Sequence, residues 1–494
     1  MAVGDENLTY RSAGVDIDTN NQASLAIRRH LQRTRTPAVL TRSGLFGGGV
    51  SLEAFRGYKR PLLVAGLGCR APDAPGAAGA GNGVQEVVRM CREKLHPRTK
   101  TVAFLDYIAA ESLTVGQIES LVAGFADHFA VEPKTPLVGG ETAEMPGTFK
   151  HGACELVGSL YAVIDGAACA DFSRGACDLA AIRESRRPAL VLSMDGVGTK
   201  TSLGVMAGES AGLAADIIHH SLNDILCQGA RGLGLTYYIG CHSRREKFIE
   251  DFTRGAARIH EEQGLTGLDF VVAEHPELYR EGAFDICASI AGLAGLAGLA
   301  DAGSLLQGEN VEAGDILIGL PSSGLHTNGY SLARRALLER GGLKLDRYIP
   351  ELGVTLGRAL LEPHKNYAPA VLPLLQASGA GGVRGIAHIT GGGLKDNLVR
   401  ILPPGIVAEI DMSSWQVPPL FSLIQKCGRI PLEDPVNKGM VETFNMGIGL
   451  ILVVREDVAG DICVRLEQAG ERPLRIGRLL AAGPDAGAER VRLL

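Results

Sequence analysis

Aromatic residues are scarce in this chain, at 5% with one tryptophan in 494 residues. No apolar run reaches the ~18 residues of a membrane-spanning helix, so no membrane partner is expected. The ten cysteines stand singly and none forms CxxC, which argues against a zinc knuckle or a thioredoxin-like motif. They read as reduced thiols of a cytosolic protein. The N-terminal MAVGDENLTY lacks a basic n-region and an apolar h-region, so it does not read as a secretory signal, and a cytoplasmic location is expected. Positive charge is not in excess either. The balance of 49 Lys+Arg against 55 Asp+Glu gives -6, the wrong sign for a chain whose main partner is nucleic acid.

Glycine is abundant, with 65 residues, so many tight turns and close backbone approaches are expected. Hydrophobic residues at 46% and charged residues at 21% match an ordinary soluble protein and exclude a mainly disordered chain. At ~100–200 residues per domain the length implies about three domains.

Residues 1–50 read as an N-terminal arm ending in Gly44-Leu-Phe-Gly-Gly-Gly49. A first module spans 51–165. Pro61–Ala65 and Thr101–Asp106 are strands, Ile118, Leu121, Val122, Phe125 and Phe129 fall at helical spacing, and Glu155–Ile164 is a strand. Residues 71–82 are low-complexity and read as a surface loop, and Leu137–Gly147 as a strand end running into a glycine-rich loop. Residues 166–187 read as a linker. A second module, 188–302, repeats the order of elements: strands at 189–193, 235–239, 270–272 and 284–290, with helices at 209–229 and 248–259. Tyr107 matches Tyr237, and Ala143-Glu-Met-Pro146 matches Ala273-Glu-His-Pro276, both at an offset of 130, so the modules read as an internal repeat. A C-terminal α/β domain, 303–494, carries strands at 315–320, 407–410 and 447–454 and a helix near Tyr330. The mixture makes the class mixed α/β or α+β, of which the family resemblance described below implies α+β.

Asp195-Gly-Val-Gly-Thr-Lys200 follows directly on an apolar strand. Its glycines let backbone N–H groups approach phosphate, Lys200 supplies a point charge, and Asp195 suits a hard cation. The spacing is not that of a Walker A loop. Asn223-Asp224 interrupts an apolar helical stretch, where polar groups need a partner or a ligand, and Asp224 is placed to share a metal with Asp195. A solvent-facing helix edge explains the pair equally. Gly139-Gly-Glu-Thr-Ala-Glu-Met-Pro-Gly147 offers Glu141 and Glu144 for a cation, against the simpler reading of a charged turn. Ser322–Tyr330, with Ser323, His326 and Asn328, and Gly391-Gly-Gly393 are candidate anion cradles ahead of helices, although a lone His326 is structural by default.

Taken together, these motifs resemble the phosphoribosylformylglycinamidine cyclo-ligase (AIR synthase) family of de novo purine synthesis. Thr9–Asp18, Asp106-Tyr107, Gly139–Gly147, Asp195–Lys200 and Asn223-Asp224 resemble its opening and ATP-side motifs. Ser322–Ser331, His388–Gly393, Ser413–Trp415 and Thr443–Gly447 resemble its C-terminal domain. The resemblance implies conversion of formylglycinamidine ribonucleotide and ATP to aminoimidazole ribonucleotide, ADP and phosphate, with Mg²⁺ and K⁺ as candidate ions. It implies catalytic roles for Asp195, Lys200 and Asp224, and a metal held by Asp195, Asp224 and Glu141. ATP contacts fall to Gly196, Gly198, Thr199, Asn223, Asp106, Gly139, Gly140 and Thr142. Substrate contacts fall to Ser323, His326, Asn328, Gly391, Gly392 and Gly393.

The chain departs from the family in carrying two N-terminal-type modules, each with half the motifs. The first reads Gly68-Cys-Arg70 and Glu93-Lys94 where the second has DGVGTK and Asn-Asp, and the second has Thr236 in place of Asp106. His364-Lys365 stands where the family usually has Thr-Arg. The expected arrangement is an intrachain pseudo-dimer barrel with one composite site, with a homodimer of whole chains as the alternative. Two other functions remain: a catalytically impaired nucleotide-binding scaffold, or another ATP-dependent member of the superfamily. Against the latter, the first cysteine is Cys69 and the chain ends Val-Arg-Leu-Leu494, which fits neither selenophosphate synthetase nor the hydrogenase-maturation relative.

Overall fold

A computed structural model describes residues 7–14, 17–71, 80–168, 175–185, 187–294, 305–377, 382–483 and 489–494. Most of the low-complexity stretch, part of the linker, residues 15–16 of the opening motif and the stretch before the C-terminal domain therefore lie outside the described residues.

The chain opens with α1 (Ile17–Thr34) and β1 (Gly48–Ser51), followed by β2 (Pro61–Arg70), α2 (Ala80–Glu93), β3 (Lys100–Ala110), α3 (Val115–Phe129), β4 (Leu137–Glu144), β5 (Cys154–Asp165) and β6 (Ala176–Asp178). Next come β7 (Ala189–Gly196), α4 (Lys200–Ala207), α5 (Ala211–Leu226), β8 (Arg231–Cys241), α6 (Glu246–Gln263), β9 (Thr266–Glu274) and β10 (Phe284–Ala294). They build two five-stranded sheets, β4-β3-β5-β2-β6 and β9-β8-β10-β7-β1. In each, one parallel pair flanks a crossover helix: β3 and β4 across α3, β8 and β9 across α6. The two sheets share the strand order β4-β3-β5-β2 and β9-β8-β10-β7, while two helices, α4 and α5, stand in the second module where the first has α2.

The strands are apolar on both faces because both faces are covered. Ala103, Leu105, Tyr107 and Ala109 of β3 enter a core shared with Leu190, Leu192, Met194 and Tyr238 of the other sheet. The alternate residues Phe104, Ile108 and Ala110 pack beneath α2 and α3. This is period-two alternation with apolar residues at both phases. Burying each large side chain contributes roughly 1.5–3 kcal/mol. The predicted helix face of α3 is buried as spaced, and Thr114 caps it through a capping box with Gln117. Across the two modules, β4 packs beside β7 and β2 beside β9. Lys150 N–H donates to the Leu278 carbonyl and Arg280 N–H to that of Thr148; the two donors are 130 apart and so are the two acceptors, so the offset of 130 relates one bond to the other.

Four expectations change. The arm contains α1, packed on α3, and β1, which pairs with β7 of the second module rather than opening the first. The linker supplies β6, an edge strand on β2. Residues 137–144 form one continuous strand, β4, instead of a strand end giving way to a loop, because β3 offers a free edge in register from Leu105 to Ala110. Residues 80–82, read as loop, begin α2.

The C-terminal part contains β11 (Ile316–Pro321), α7 (Tyr330–Arg334), the hairpin β12 (Tyr348–Ile349) and β13 (Val354–Thr355), α8 (Leu356–Leu360), α9 (Ala368–Ala377), β14 (Val383–His388) and α10 (Gly393–Leu398). It continues with β15 (Ile406–Ile410), α11 (Pro419–Gly428), α12 (Met440–Thr443), β16 (Ile448–Val454), α13 (Ala459–Gln468), β17 (Leu474–Ala481) and β18 (Val491–Leu493). Its sheet runs β14-β16-β11-β17-β15-β18. Among the described residues no helix is long and apolar enough to cross a membrane.

Candidate active site

A cavity of about 690 Å³ opens where four parts of the chain meet. Its walls are α1 and residues 41–45 of the arm, β4 of the first module, residues 195–199 after β7, and the 327–331 and 390–400 segments of the C-terminal domain. That volume is within the range of small-ligand sites. A second cavity of about 120 Å³ adjoins it and shares Gly139, Gly140, Glu141 and Asp195 while adding Ser193, His220 and Asp224. The expected meeting of Glu141 from one module with Asp195 from the other is therefore present.

Local sequence explains why the backbones come this close. A Cβ on Gly48 would stand 2.3 Å from the Val138 carbonyl oxygen, and one on Gly140 would stand 2.4 Å from that of Asp106. Only glycine lets the arm and β3 lie flat against β4.

Asp106, Gly139, Gly140, Glu141, Thr142, Asp195, Gly196, Gly198, Thr199, Asn328, Gly391 and Gly392 all line the larger cavity. Burial raises the Asp106 carboxyl to about 7. Glu141 is pushed well above the usual carboxylate range by burial and by the charges of Asp195 and Asp224. Thr199 hydroxyl lies 2.8 Å from that of Ser331, tying the DGVGTK loop to α7.

Five expected site residues turn away. Lys200 is fully buried, its Nζ 2.7 Å from Asp216 Oδ1 and 2.7 Å from the Glu362 carbonyl oxygen, so its charge is spent inside the fold. Asn223 donates to Lys365 O at 2.8 Å and accepts from Tyr367 N–H at 3.0 Å, clamping α5 to the C-terminal domain. Ser323 donates to Pro363 O, and its N–H points to His326 Nε2. His326 is buried and stacks on His364 at 3.9 Å, with burial holding its ring well below the usual range. Gly393 is packed against the Val441 carbonyl.

Asp224 is buried rather than at a solvent edge. It accepts from Ser193 Oγ at 3.0 Å and faces His388 Nδ1 at 2.8 Å. His220, one helical turn earlier, places Nε2 2.9 Å from Asp195 Oδ2 and 3.6 Å from Asp224 Oδ2. Burial alone would lower the His220 ring, but Asp195 and Asp224 overcome it and hold it at about 9. His388 and His364 continue the chain, with Nε2 atoms 3.0 Å apart. His220 and His388 were not among the expected site residues. The signal for His220 was its i, i+4 relation to Asp224 on one apolar helix. Arg28, Arg35 and Arg400 also line the cavity, from segments that carried no motif.

Two family models match the chain. One is described as AIR synthase related protein, N-terminal domain, over residues 177–293. The other is AIR synthase related protein, C-terminal domain, over 312–487. Among curated relatives, the phosphoribosylformylglycinamidine cyclo-ligase of Bacillus mycoides (strain KBAB4) is 42% identical over 290 residues, covering 59% of this chain and 80% of the relative. That of Bacillus thuringiensis (strain Al Hakam) is 41% identical over 291 residues, with the same coverage. Among solved structures, thiamine-monophosphate kinase from Stenotrophomonas maltophilia K279a superposes with a TM-score of 0.43 at 16% identity, covering 62% of this chain and 85% of that one. HypE of E. coli gives 0.42 at 19%, covering 64% and 85%. On the family-model matches and the identity to the curated relatives, the chain belongs to the AIR synthase related family and is an enzyme of the phosphoribosylformylglycinamidine cyclo-ligase kind.

Proposed function

We propose that the composite cavity converts formylglycinamidine ribonucleotide and ATP to aminoimidazole ribonucleotide, ADP and phosphate. The observation that carries this reading is the convergence of Asp195 and Glu141, from different modules, on one cavity that also holds Thr199, Asn328 and Gly391. In this reading the formyl oxygen attacks the γ-phosphorus and ADP leaves. The amidine-side nitrogen then attacks the former formyl carbon, losing a proton as phosphate departs. Backbone N–H groups of the 196–199 loop face the nucleotide phosphates, and Asn328 with Gly391 and Gly392 faces the ribose phosphate. Asp195, Asp224 and Glu141 line one small cavity, and their carboxylates would hold a divalent cation there. Such a cation supplies charge neutralisation on the transferring phosphoryl group. Thr199 positions the loop through Ser331, and Ser193 orients Asp224.

We further infer that the modules are copies paired as a pseudo-dimer, a reading supported by their shared strand order and the reciprocal bonds of 148 with 280 and 150 with 278. The mate of the composite site is then degenerate. Lys94 Nζ pairs with Asp269 Oδ2 there at 2.7 Å.

The test is a coupled assay of ADP release and aminoimidazole ribonucleotide formation, with wild type beside Asp195→Asn and Glu141→Gln. Turnover by wild type, lost in both folded variants, supports one site shared by two modules. A wild type that binds ATP without forming product overturns the reading in favour of a nucleotide-binding scaffold.

A further inference from the structure

Arg28, Arg35, Arg42 and Arg400 line the larger cavity, and among the described residues none of them forms an ion pair with a carboxylate. Arg28 is exposed on α1. Arg35 donates from Nη2 to the Val39 and Thr41 carbonyl oxygens at 3.3 and 3.1 Å, and Arg42 donates to the carbonyls of Gln307 and Arg400. Arg400 differs from all three. Its side chain has no hydrogen-bond partner among the described residues. It also lines the smaller cavity, where it is the one lysine or arginine among the lining residues.

The Arg400 guanidinium is held in place without being used. Its residue belongs to the single turn Val399–Ile401 that follows α10, and its carbonyl is pinned by Arg42. The guanidinium carbon stands 4.9 Å from the centre of the buried Phe46 ring, which serves as a platform. That contact leaves the N–H donors unpaired, and a guanidinium carries five in a planar fork that fits two oxygens of one phosphate. A cation kept only to balance acid pairs with it directly, as Lys94 does with Asp269 at 2.7 Å. Arg400 does not pair, yet its charge reaches Glu141, opposing the burial and the Asp195 charge that hold that carboxyl well above the usual range. Glu141 and Arg400 line the small cavity together, so opposite charges face a space left for a third group.

We infer that Arg400 recognises the γ-phosphate of the nucleotide, its fork taking two oxygens of the phosphoryl group that is transferred. The inference rests on the proposed reading of the cavity as an ATP site, and it adds the residue that tells a triphosphate from a diphosphate. Position favours that phosphate over the others. Asp195 and Glu141, where the transfer is placed, line both cavities as Arg400 does. Asn328, Gly391 and Gly392, assigned to the ribose phosphate, line only the larger one. During transfer, negative charge spreads over the three equatorial phosphoryl oxygens, and a guanidinium already fixed beside them neutralises it without reorganisation.

The experiment is calorimetric titration of the whole chain with ADP and with the β,γ-methylene analogue of ATP, for wild type, Arg400→Gln and Arg400→Lys. Arg400→Gln is expected to lose about tenfold or more in affinity for the triphosphate analogue, while its affinity for ADP changes less than about twofold. Arg400→Lys keeps the charge without the fork and should recover part of the loss. A second measurement needs no variant to fold. Phenylglyoxal modification of wild type, read by peptide mass spectrometry, should be blocked at Arg400 by the triphosphate analogue and not by ADP. Equal losses for both nucleotides in folded Arg400→Gln would overturn the inference in favour of a structural role. Weakened aminoimidazole ribonucleotide binding with both nucleotides unchanged would overturn it by moving Arg400 to the ribose phosphate. Equal protection by ADP would also overturn it. The cyclisation reading fails separately. A chain that forms no product, yet loses its hold on the triphosphate in Arg400→Gln, supports this inference and sinks that one. Product formation with the triphosphate affinity kept in Arg400→Gln does the reverse, and a wild type that binds neither nucleotide overturns both.

Discussion

Replacing Lys200 by methionine separates two roles that its motif allows. Methionine keeps the length and apolar stem but removes the ammonium that lies 2.7 Å from both Asp216 Oδ1 and the Glu362 carbonyl oxygen. Asp216 is then left with the His364 N–H at 2.8 Å, and its Oδ2 has no hydrogen-bond partner. Removing one member of a fully buried pair costs about 3–5 kcal/mol, because the other charge is stranded. Adding Asp216→Asn removes that charge while an amide oxygen still accepts from His364. The double variant should therefore recover more than half of the loss, a coupling of about 2 kcal/mol or more. Urea unfolding followed by circular dichroism and by the single tryptophan, Trp415, measures the cycle, and the KM for ATP is taken alongside. The expected result is a lowered midpoint with KM for ATP changed less than about twofold, well short of the tenfold that 1.4 kcal/mol of lost binding gives. A variant that unfolds at the wild-type midpoint but raises that KM tenfold would refute the reasoning and return Lys200 to the phosphates.

Asn223→Ala strands the buried Tyr367 N–H, at about 1–3 kcal/mol, and frees the half-buried Lys365 carbonyl, so it should lower the unfolding midpoint and leave the KM for ATP unchanged. Gly48→Ala drives a Cβ to 2.3 Å from the Val138 carbonyl oxygen, and thermal unfolding should show a loss of about 1–3 kcal/mol. Glu155, buried between the hydroxyls of Tyr238 and Tyr279, has its carboxyl raised by burial to about 8 from an ordinary 4.5. The native state therefore holds a proton that the unfolded chain releases, and this group's contribution to stability declines as pH rises from about 4.5 through about 8. Urea midpoints at pH 6 and pH 9 should fall more in wild type than in Glu155→Gln. Equal slopes would show that Glu155 is not protonated in the native protein.

What the sequence discloses and what it hides divide along a physical line. Strands β2, β3, β5, β7, β8, β9 and β10 and helices α3, α5 and α6 follow from apolar spacing, because each is decided by its own residues and one covering layer, whereas α2 and α4 do not. Strand β4 does not, since Gly139, Gly140 and two glutamates depress strand propensity and only the free edge of β3 decides the matter. Asp195 and Glu141 are recognisable as polar groups placed for a ligand, yet the partners that give them meaning come from other segments. His220, second of the pair His219-His220, belongs to no motif until β7 and the C-terminal loop arrive on either side of it. Lys200 reads as a free charge until α5 brings Asp216 beneath it. The two module interfaces show how far such meetings decide function. At one, three acidic groups, Asp195, Asp224 and Glu141, face an open cavity against His220 and Arg400, which leaves acid in excess. At the other, Lys94 brings its own ammonium to Asp269, and the Leu67 N–H donates to the same carboxylate at 2.9 Å. An interface that supplies its own cation leaves no charge for a metal to neutralise, so one chain of this design should offer one nucleotide site, and its binding stoichiometry should be one.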